Sequence, residues 1–213
     1  MKKYEITNET HPNNKKLKRI RALKDFGDVR EGDLGGFIES EMNLDQEGYC
    51  WVSGNAMVCG GAKVFGCAEV YGRAKIFGNA MVYSRAKVSE DAEVFGYAEV
   101  FGYAEVYGNA EVYGNAKVFG CAQVYDNAVI SGDAMVYSNA VVFGYAQVYG
   151  YAQVCGNAKI SGNTKVSGNA EVSGDAKSKP NVTPEILESL PEEVSSITIS
   201  GITYTKKVTW VVE

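Results

Sequence analysis

Histidine is almost absent from this chain: His11 is the only one among 213 residues. General base catalysis needs a side chain whose pKa lies near the working pH, and histidine is the usual supplier. His11 stands in the polar stretch 8–14, outside any regular pattern, and we expect it to be a solvated loop residue rather than a ligand. The composition therefore argues against an enzyme that relies on histidine.

Long apolar runs are also missing. No stretch reaches the length of a membrane span, and the lysine-rich start lacks the apolar core of a signal peptide. The five cysteines are scattered rather than arranged in a motif, which predicts free thiols in a reducing compartment. We therefore expect a cytoplasmic protein with no membrane segment.

A six-residue phrase of the form VYGNAE runs from Val52 to Lys177 without insertion or deletion. An aliphatic residue fills every sixth position, a small residue follows four places later, and glycine fills the third place. Glycine is replaced only at Ser84, Glu90, Asp126 and Ser138. The alternation predicts a strand of about four residues with Val and Ala inward, followed by a two-residue corner. Such a short fixed period is typical of a solenoid.

The array resembles the hexapeptide-repeat left-handed parallel β-helix, in which three phrases make one triangular coil. The resemblance implies an all-β, single-stranded left-handed parallel β-helix with 18-residue coils. The 126 residues from 52 to 177 then give seven regular coils, and weaker glycine and apolar positions over 34–51 predict one irregular first coil. At the usual strand spacing, seven coils make a rod of about 34 Å.

The N-terminal residues 1–33 are predicted to cap the open first coil. They contain apolar residues suited to cover it, namely Tyr4, Ile6, Leu17, Ile20, Leu23 and Phe26. Capping units of this kind prevent end-to-end association of solenoids. Their many lysines and arginines leave nucleic-acid binding through a basic arm as a less favoured alternative.

The C-terminal residues 178–213 leave the repeat and are predicted to form a second cap or an oligomerisation element. The pattern predicts a helix over 183–190 and two strands over 197–205 and 208–212, which would pair as a hairpin. Trp210 is the expected anchor of this element.

Many hexapeptide-repeat proteins are acyltransferases, in which a coil histidine acts as general base and long loops shape the pocket. Another branch of that family binds zinc through three histidines. The array here has no histidine and no loop, so we predict no catalytic, cofactor-binding or metal-binding residues and a non-enzymatic protein. The alternative is an acyltransferase-like protein, active or degenerate, with its pocket between subunits.

The outward positions form the predicted interaction surface. Every eighteenth residue is expected in one vertical column, and one column is aromatic for five successive coils: Phe65, Tyr83, Phe101, Phe119 and Tyr137. Met81 and Met135 lie on the same face. Ring stacking within the chain explains part of this pattern. Because aromatic residues and methionine are also enriched in interface cores, we predict that this face packs against identical chains in a dimer or trimer.

The corners hold a second aromatic group, which replaces the usual asparagine: Tyr97, Tyr103, Tyr145 and Tyr151. Exposed tyrosines on a rigid scaffold suit a partner-binding surface, although drift between copies of the repeat explains them equally well. The segments RIRALKDFGDVREGDLGGFIES and GYCWVSGNA resemble the opening of uncharacterised hexapeptide-repeat proteins of bacteria and their phages. The predicted function is thus a self-associating scaffold or protein binder, with an inhibitor of a host protein or defence system as its phage-encoded version.

Overall fold

The structure is a computed structural model that describes residues 2–175 and the strands 196–199 and 202–205. Within these residues the array forms an all-β parallel β-solenoid with three faces, each a parallel sheet to which every coil adds one strand. Neighbouring strands pair residues that are 18 apart, such as Glu99 with Lys117. The predicted fold class and the 18-residue coil are confirmed.

Face 1 contains the strands β3 (Leu34–Ile38), β5 (Met57–Val58), β8 (Lys75–Ile76), β11 (Glu93–Val94), β14 (Glu111–Val112), β17 (Val129–Ile130), β20 (Gln147–Val148) and β23 (Lys165–Val166). Face 2 contains β6 (Lys63–Val64), β9 (Met81–Val82), β12 (Glu99–Val100), β15 (Lys117–Val118), β18 (Met135–Val136), β21 (Gln153–Val154) and β24 (Glu171–Val172). Face 3 contains β4 (Trp51–Val52), β7 (Glu69–Val70), β10 (Lys87–Val88), β13 (Glu105–Val106), β16 (Gln123–Val124), β19 (Val141–Val142) and β22 (Lys159–Ile160).

The array strands are two residues long, shorter than the sequence predicts. The corners take the remaining residues because each needs a left-handed backbone, as at Gly102 with φ of 76°. Hydrogen bonding between coils nevertheless continues past the strand ends: Tyr103 N donates to Gly120 O at 2.7 Å. The coils are therefore joined along nearly their whole perimeter.

The core is a narrow column of valine and alanine. Both inward positions are fully buried in the middle coils, as Val100 and Ala104 show. Thr164, the single departure from alanine, is also buried, and its hydroxyl donates to Ser161 O at 2.7 Å. The predicted inward pattern is thus confirmed, and the one polar inward side chain has its hydrogen bond satisfied.

The first coil lies where the weaker pattern over 34–51 places it. β3 pairs with β5, Leu44 bridges to Val64, and β4 pairs with β7. A one-turn 3-10 helix, Glu41–Asn43, lies between the first two sides. Gly36 is required here, because a Cβ at this position would lie 2.6 Å from Ala56 O in the next coil.

Two long strands, β1 (Tyr4–His11) and β2 (Asn14–Ala22), form an antiparallel hairpin that extends face 1 beyond β3. Five of the apolar side chains predicted to form the cap lie in or against the core, and Leu23 is half-buried: the group is Tyr4, Ile6, Leu17, Ile20, Leu23 and Phe26. Lys3 is buried as well, and its Nζ donates to Cys50 O at 3.0 Å. Arg19 and Arg21 pair with Glu9 and Glu5, which partly neutralises the basic arm.

Two predictions at the ends need correction. His11 ends a strand instead of lying in a loop, and its ring packs edge-on against Phe37 with centroids 4.9 Å apart. The predicted single strand over 197–205 is instead two antiparallel strands, β25 (Ser196–Ile199) and β26 (Ile202–Thr205). The Ser-Gly pair between them is a turn signal that the alternation on either side obscured. The predicted helix 183–190, the strand 208–212 and Trp210 lie outside the described residues.

Candidate functional site

The aromatic column forms a continuous ladder on face 2, which we call the ring ladder: Phe65, Tyr83, Phe101, Phe119 and Tyr137. Successive ring centroids lie 4.8, 4.9, 4.9 and 5.0 Å apart, and their planes are inclined by 6° or less. All five side chains are half-buried because each ring covers the face of the next. The ladder therefore presents a straight strip of ring edges outward. The geometry confirms that side chains 18 apart stack, while self-association remains a prediction.

Polar groups beside the ring ladder are paired within the face. The Tyr83 hydroxyl donates to Glu99 Oε2 at 2.9 Å, and Lys117 Nζ lies 2.7 Å from Glu99 Oε1. Burial, together with the bond to Glu99, raises the pKa of Tyr83 to about 12. The hydrogen bond from Lys117 lowers the pKa of Glu99. These contacts link Tyr83, Glu99 and Lys117 across neighbouring coils of face 2.

Methionine flanks the ring ladder at two levels. Met81 and Met135 are outward residues of β9 and β18, and both are half-buried. Shorter three-ring ladders lie on the other faces: Phe77, Phe95 and Tyr113 on face 1, and Tyr107, Tyr125 and Phe143 on face 3. Face 2 is therefore distinguished by the length of its ladder and by two outward methionines, whereas face 1 has one, Met57 of β5.

The four corner tyrosines do not form one surface. Tyr97 and Tyr151 lie at the corner after face 1, Tyr103 at the corner after face 2, and Tyr145 at the corner after face 3. Each is well exposed, by 58–66%. Because a common partner would need them on one side, the structure does not bring them together as a shared binding patch. Tyr103 also lines a cavity.

That cavity is a groove on face 3 over the first coils. Its floor includes the outward side chains Trp51 and Tyr71, and one wall is the turn 26–29. The other wall is a corner column of residues 18 apart, Tyr49, Cys67, Arg85 and Tyr103. The volume is about 830 Å³, within the range of small-molecule sites.

The turn that forms this wall is held by local bonds. Phe26 N donates to Val29 O at 3.0 Å, and Val29 N donates back to Phe26 O at 2.9 Å. Gly27 between them has φ of 52°, a conformation that favours glycine. Phe26 also packs edge-on against Trp51, with ring centroids 5.3 Å apart. The wall is therefore part of the packed cap.

The wall of the groove comes from outside the array. The array itself has no loop, but the connection between β2 and β3 folds back over face 3. The sequence signal was present: FGDV has a turn-forming Gly-Asp pair between two apolar residues. What the sequence did not reveal was which face the turn would cover, because that depends on the contact between Phe26 and Trp51.

The other candidate groups are partnered or isolated. All five cysteines are free thiols, and burial raises the pKa of Cys50 and of Cys59. The acidic corner also has partners: Glu90 accepts from Gly108 N, Asp91 pairs with Arg73, and Glu93 with Lys75. Among the residues that the structure describes, no group of three or more His, Cys, Asp or Glu could hold a metal ion. No helix in that part of the chain could span a membrane.

Three parallel sheets, six-residue phrases and 18-residue coils define a hexapeptide-repeat parallel β-solenoid protein. A sequence model of the YdcK beta solenoid repeat matches residues 122–138. The chain is also similar to a protein named uncharacterized acetyltransferase YdcK, from Escherichia coli (strain K12), at 50% identity over 36 residues. This match spans 17% of the chain and 11% of the relative. Both similarities agree with the repeat architecture.

Proposed function

We propose that this chain is a non-enzymatic, self-associating β-solenoid that acts as a scaffold or as a binder of another protein. Face 2 is its self-association surface. The observation that carries the proposal is the ring ladder, which is longer than the ladders of the other two faces and is flanked by Met81 and Met135. Aromatic residues and methionine are enriched in the cores of protein interfaces.

The shape of the ring ladder suits two rods lying side by side. Five rings span four strand spacings, or about 19 Å, so a parallel second rod meets ring edges along that whole height. A stable interface buries about 800 Å² on each partner, more than one column of ring edges supplies. The neighbouring polar residues of face 2, such as Lys117 and Glu99, therefore form the rim of the interface.

The proposal is tested by the mass of the particle in solution, measured by light scattering. We expect the wild type to be a dimer or trimer and the double variant Phe101→Glu, Phe119→Glu to be a monomer, since two buried like charges per copy oppose association. The matched control is Phe95→Glu, Tyr113→Glu, which breaks a three-ring ladder on face 1 in the same coils. It should stay oligomeric. A monomeric wild type, or equal dissociation of both variants, would refute the proposal.

A protein partner is the second part of the proposal. The N-terminal segments of the chain resemble those of hexapeptide-repeat proteins of bacteria and their phages. This resemblance favours an inhibitor of a host protein or host defence system. Pull-down from host lysate with the wild type, compared with a variant in which the corner tyrosines are alanine, tests this part. Because those tyrosines lie at three corners, single substitutions of Tyr97, Tyr103 and Tyr145 identify which side the partner contacts.

An acyltransferase-like activity is the alternative, and it is favoured by the similarity to the Escherichia coli protein named as an uncharacterized acetyltransferase. A cofactor site between subunits would then exist only in the oligomer. Calorimetric titration with acetyl-CoA separates the two functions. Saturable uptake by the wild type that disappears in the monomeric Phe101→Glu, Phe119→Glu variant supports the alternative, whereas no uptake by either supports the scaffold.

A further inference from the structure

We propose that the groove on face 3 binds a neutral carbohydrate, a short oligosaccharide whose rings lie along the rod axis. The groove belongs to the N-terminal cap and face 3, so this site is separate from the ring ladder on face 2 and does not depend on self-association.

The groove is formed before any ligand arrives. The turn 26–29 is closed by two backbone hydrogen bonds, and Phe26 is packed against Trp51. Trp51 and Phe26 are almost fully buried, at 8% and 7% exposed. Opposite the turn, the corner residues belong to the rigid coils. A ligand therefore does not have to order the backbone of either wall, which favours binding.

Exposed aromatic rings line the open part of the groove. Tyr49, Tyr71 and Tyr103 are exposed by 61%, 39% and 58%, and each has both an apolar ring and a hydroxyl. Sugar rings have the matching chemistry: C–H groups on one face pack against the negative face of an aromatic ring, while their hydroxyls form hydrogen bonds at the rim. A planar aromatic ligand would also stack on these rings, so the charges of the groove are needed to distinguish between the two classes of ligand.

The charges in the groove balance. Two cations, Arg85 and Lys87, stand against two acids, Glu69 and Asp28. Lys87 Nζ lies 3.7 Å from Glu69 Oε1, and Arg85 Nη1 donates to the Tyr103 hydroxyl at 2.9 Å. A phosphate-bearing ligand needs a surplus of positive charge, which the groove does not offer. A neutral ligand rich in hydroxyls finds donors in Arg85 and Lys87 and acceptors in the two carboxylates.

The backbone of the groove floor argues against an extended peptide. The central floor strand β7 pairs with β4 on one edge and β10 on the other, so it has no free edge to which an extended peptide could add. The corner column from Tyr49 to Tyr103 spans three strand spacings, about 14 Å, which is the length of a short oligosaccharide. The groove therefore suits a small ligand lying along the column.

The experiment uses tryptophan fluorescence. The chain has two tryptophans, so a Trp210→Phe background leaves Trp51, on the groove floor, as the only reporter. This full-length protein is titrated with maltotriose, cellotriose, triacetylchitotriose and mannotriose, and with ATP and acetyl-CoA as charged comparators. Binding is repeated by calorimetry on the wild type. We expect saturable binding of at least one of the four neutral trisaccharides at millimolar concentration or below, and weaker or no binding of ATP and acetyl-CoA.

Two exposed substitutions locate the site. Tyr71→Ala and Tyr103→Ala should each weaken binding of the same trisaccharide about tenfold, the effect of losing one stacking surface. Tyr151 is an exposed corner tyrosine that does not line the groove. The control substitution Tyr151→Ala should leave binding of the trisaccharide unchanged. No saturable signal with any of the four sugars, tighter binding of ATP or acetyl-CoA, or an equal effect of Tyr151→Ala would each overturn the proposal. Failure here leaves the particle mass, and thus the self-association proposal, untouched.

Discussion

Four corners place an L-residue where the other corners place glycine. Ser84, Glu90, Asp126 and Ser138 have φ between 58° and 62°. This conformation costs a non-glycine residue about 1–2 kcal/mol. Two of the four offset the cost: Glu90 Oε2 accepts from Gly108 N, and Asp126 Oδ2 accepts from Gly144 N, both at 3.1 Å. The two serines make no such bond to the described residues.

The substitution Ser138→Gly should therefore stabilise the protein. We expect the free energy of unfolding to rise by about 0.5–1 kcal/mol, the relief of strain less the extra freedom of glycine in the unfolded chain. Asp126→Gly should raise the free energy of unfolding by less, or lower it, because this substitution also removes the hydrogen bond from Gly144 N. Urea unfolding of both variants measures the difference, and equal gains would show that the carboxylate bond contributes nothing.

The ion pair at Glu99 should make stability depend on acid pH. Its folded pKa lies below the unfolded value, because of the hydrogen bond from Lys117. A carboxyl group with a lowered pKa stabilises the fold above its unfolded pKa, near 4.3, and that contribution is lost as the pH falls through the folded pKa. Acidification below about pH 4 therefore removes the contribution of this pair.

Glu99→Gln tests this assignment. Relative to the wild type, we expect the variant to be less stable by about 1 kcal/mol at neutral pH and nearly equal in stability at the acid end. The control is Glu111→Gln, an exposed position that has no ion pair among the described residues. Urea midpoints measured across the pH range at one fixed protein concentration make the comparison. A difference in urea midpoint between Glu99→Gln and the wild type that stays constant across the pH range would contradict the assignment.

The six-residue period of the sequence predicts the short strands and corners of the array. The resemblance to hexapeptide-repeat β-helices adds three phrases per coil, so that residues 18 apart are expected to stack, and Phe101 does stack on Phe119. Strand length was harder to predict from the sequence. The alternation of inward and outward residues extends into the left-handed corners, so it predicts strands of about four residues where the structure has two. The cap was predicted as a cover for the first coil but not as a hairpin, because Tyr4–Ala22 lacks the repeat that makes the rest predictable.

The groove marks the limit of sequence reasoning on the candidate sites. Trp51, Tyr71 and Arg85 look like ordinary outward residues of the repeat. They become a site only because a non-repeating turn from the cap lies beside them, and the contact between Phe26 and Trp51 that places it joins residues 25 positions apart. The ring ladder, in contrast, repeats with the coil and could be found from the sequence.

The rod has two ends, and the N-terminal one is closed by the cap. Tyr4 is fully buried there, its hydroxyl donates to Leu44 O at 2.6 Å, and its ring packs edge-on against Trp51. Each coil of a solenoid contacts only its neighbours, so damage to the cap should stay local. An uncovered first coil would also present strand edges that can pair with another chain.

Tyr4→Ala should open this end without unfolding the rod. We expect residues 4–58 to lose protection in hydrogen exchange followed by mass spectrometry, because removing a large buried ring costs about 3–5 kcal/mol locally. Coils from residue 94 to 160 should keep their protection, and small-angle scattering should show longer particles as the protein concentration rises. Tyr97→Ala, at an exposed corner, is the control and should change neither. Uniform loss of protection along the whole array would mean that the rod unfolds as one cooperative unit, and that the cap stabilises every coil rather than the first alone.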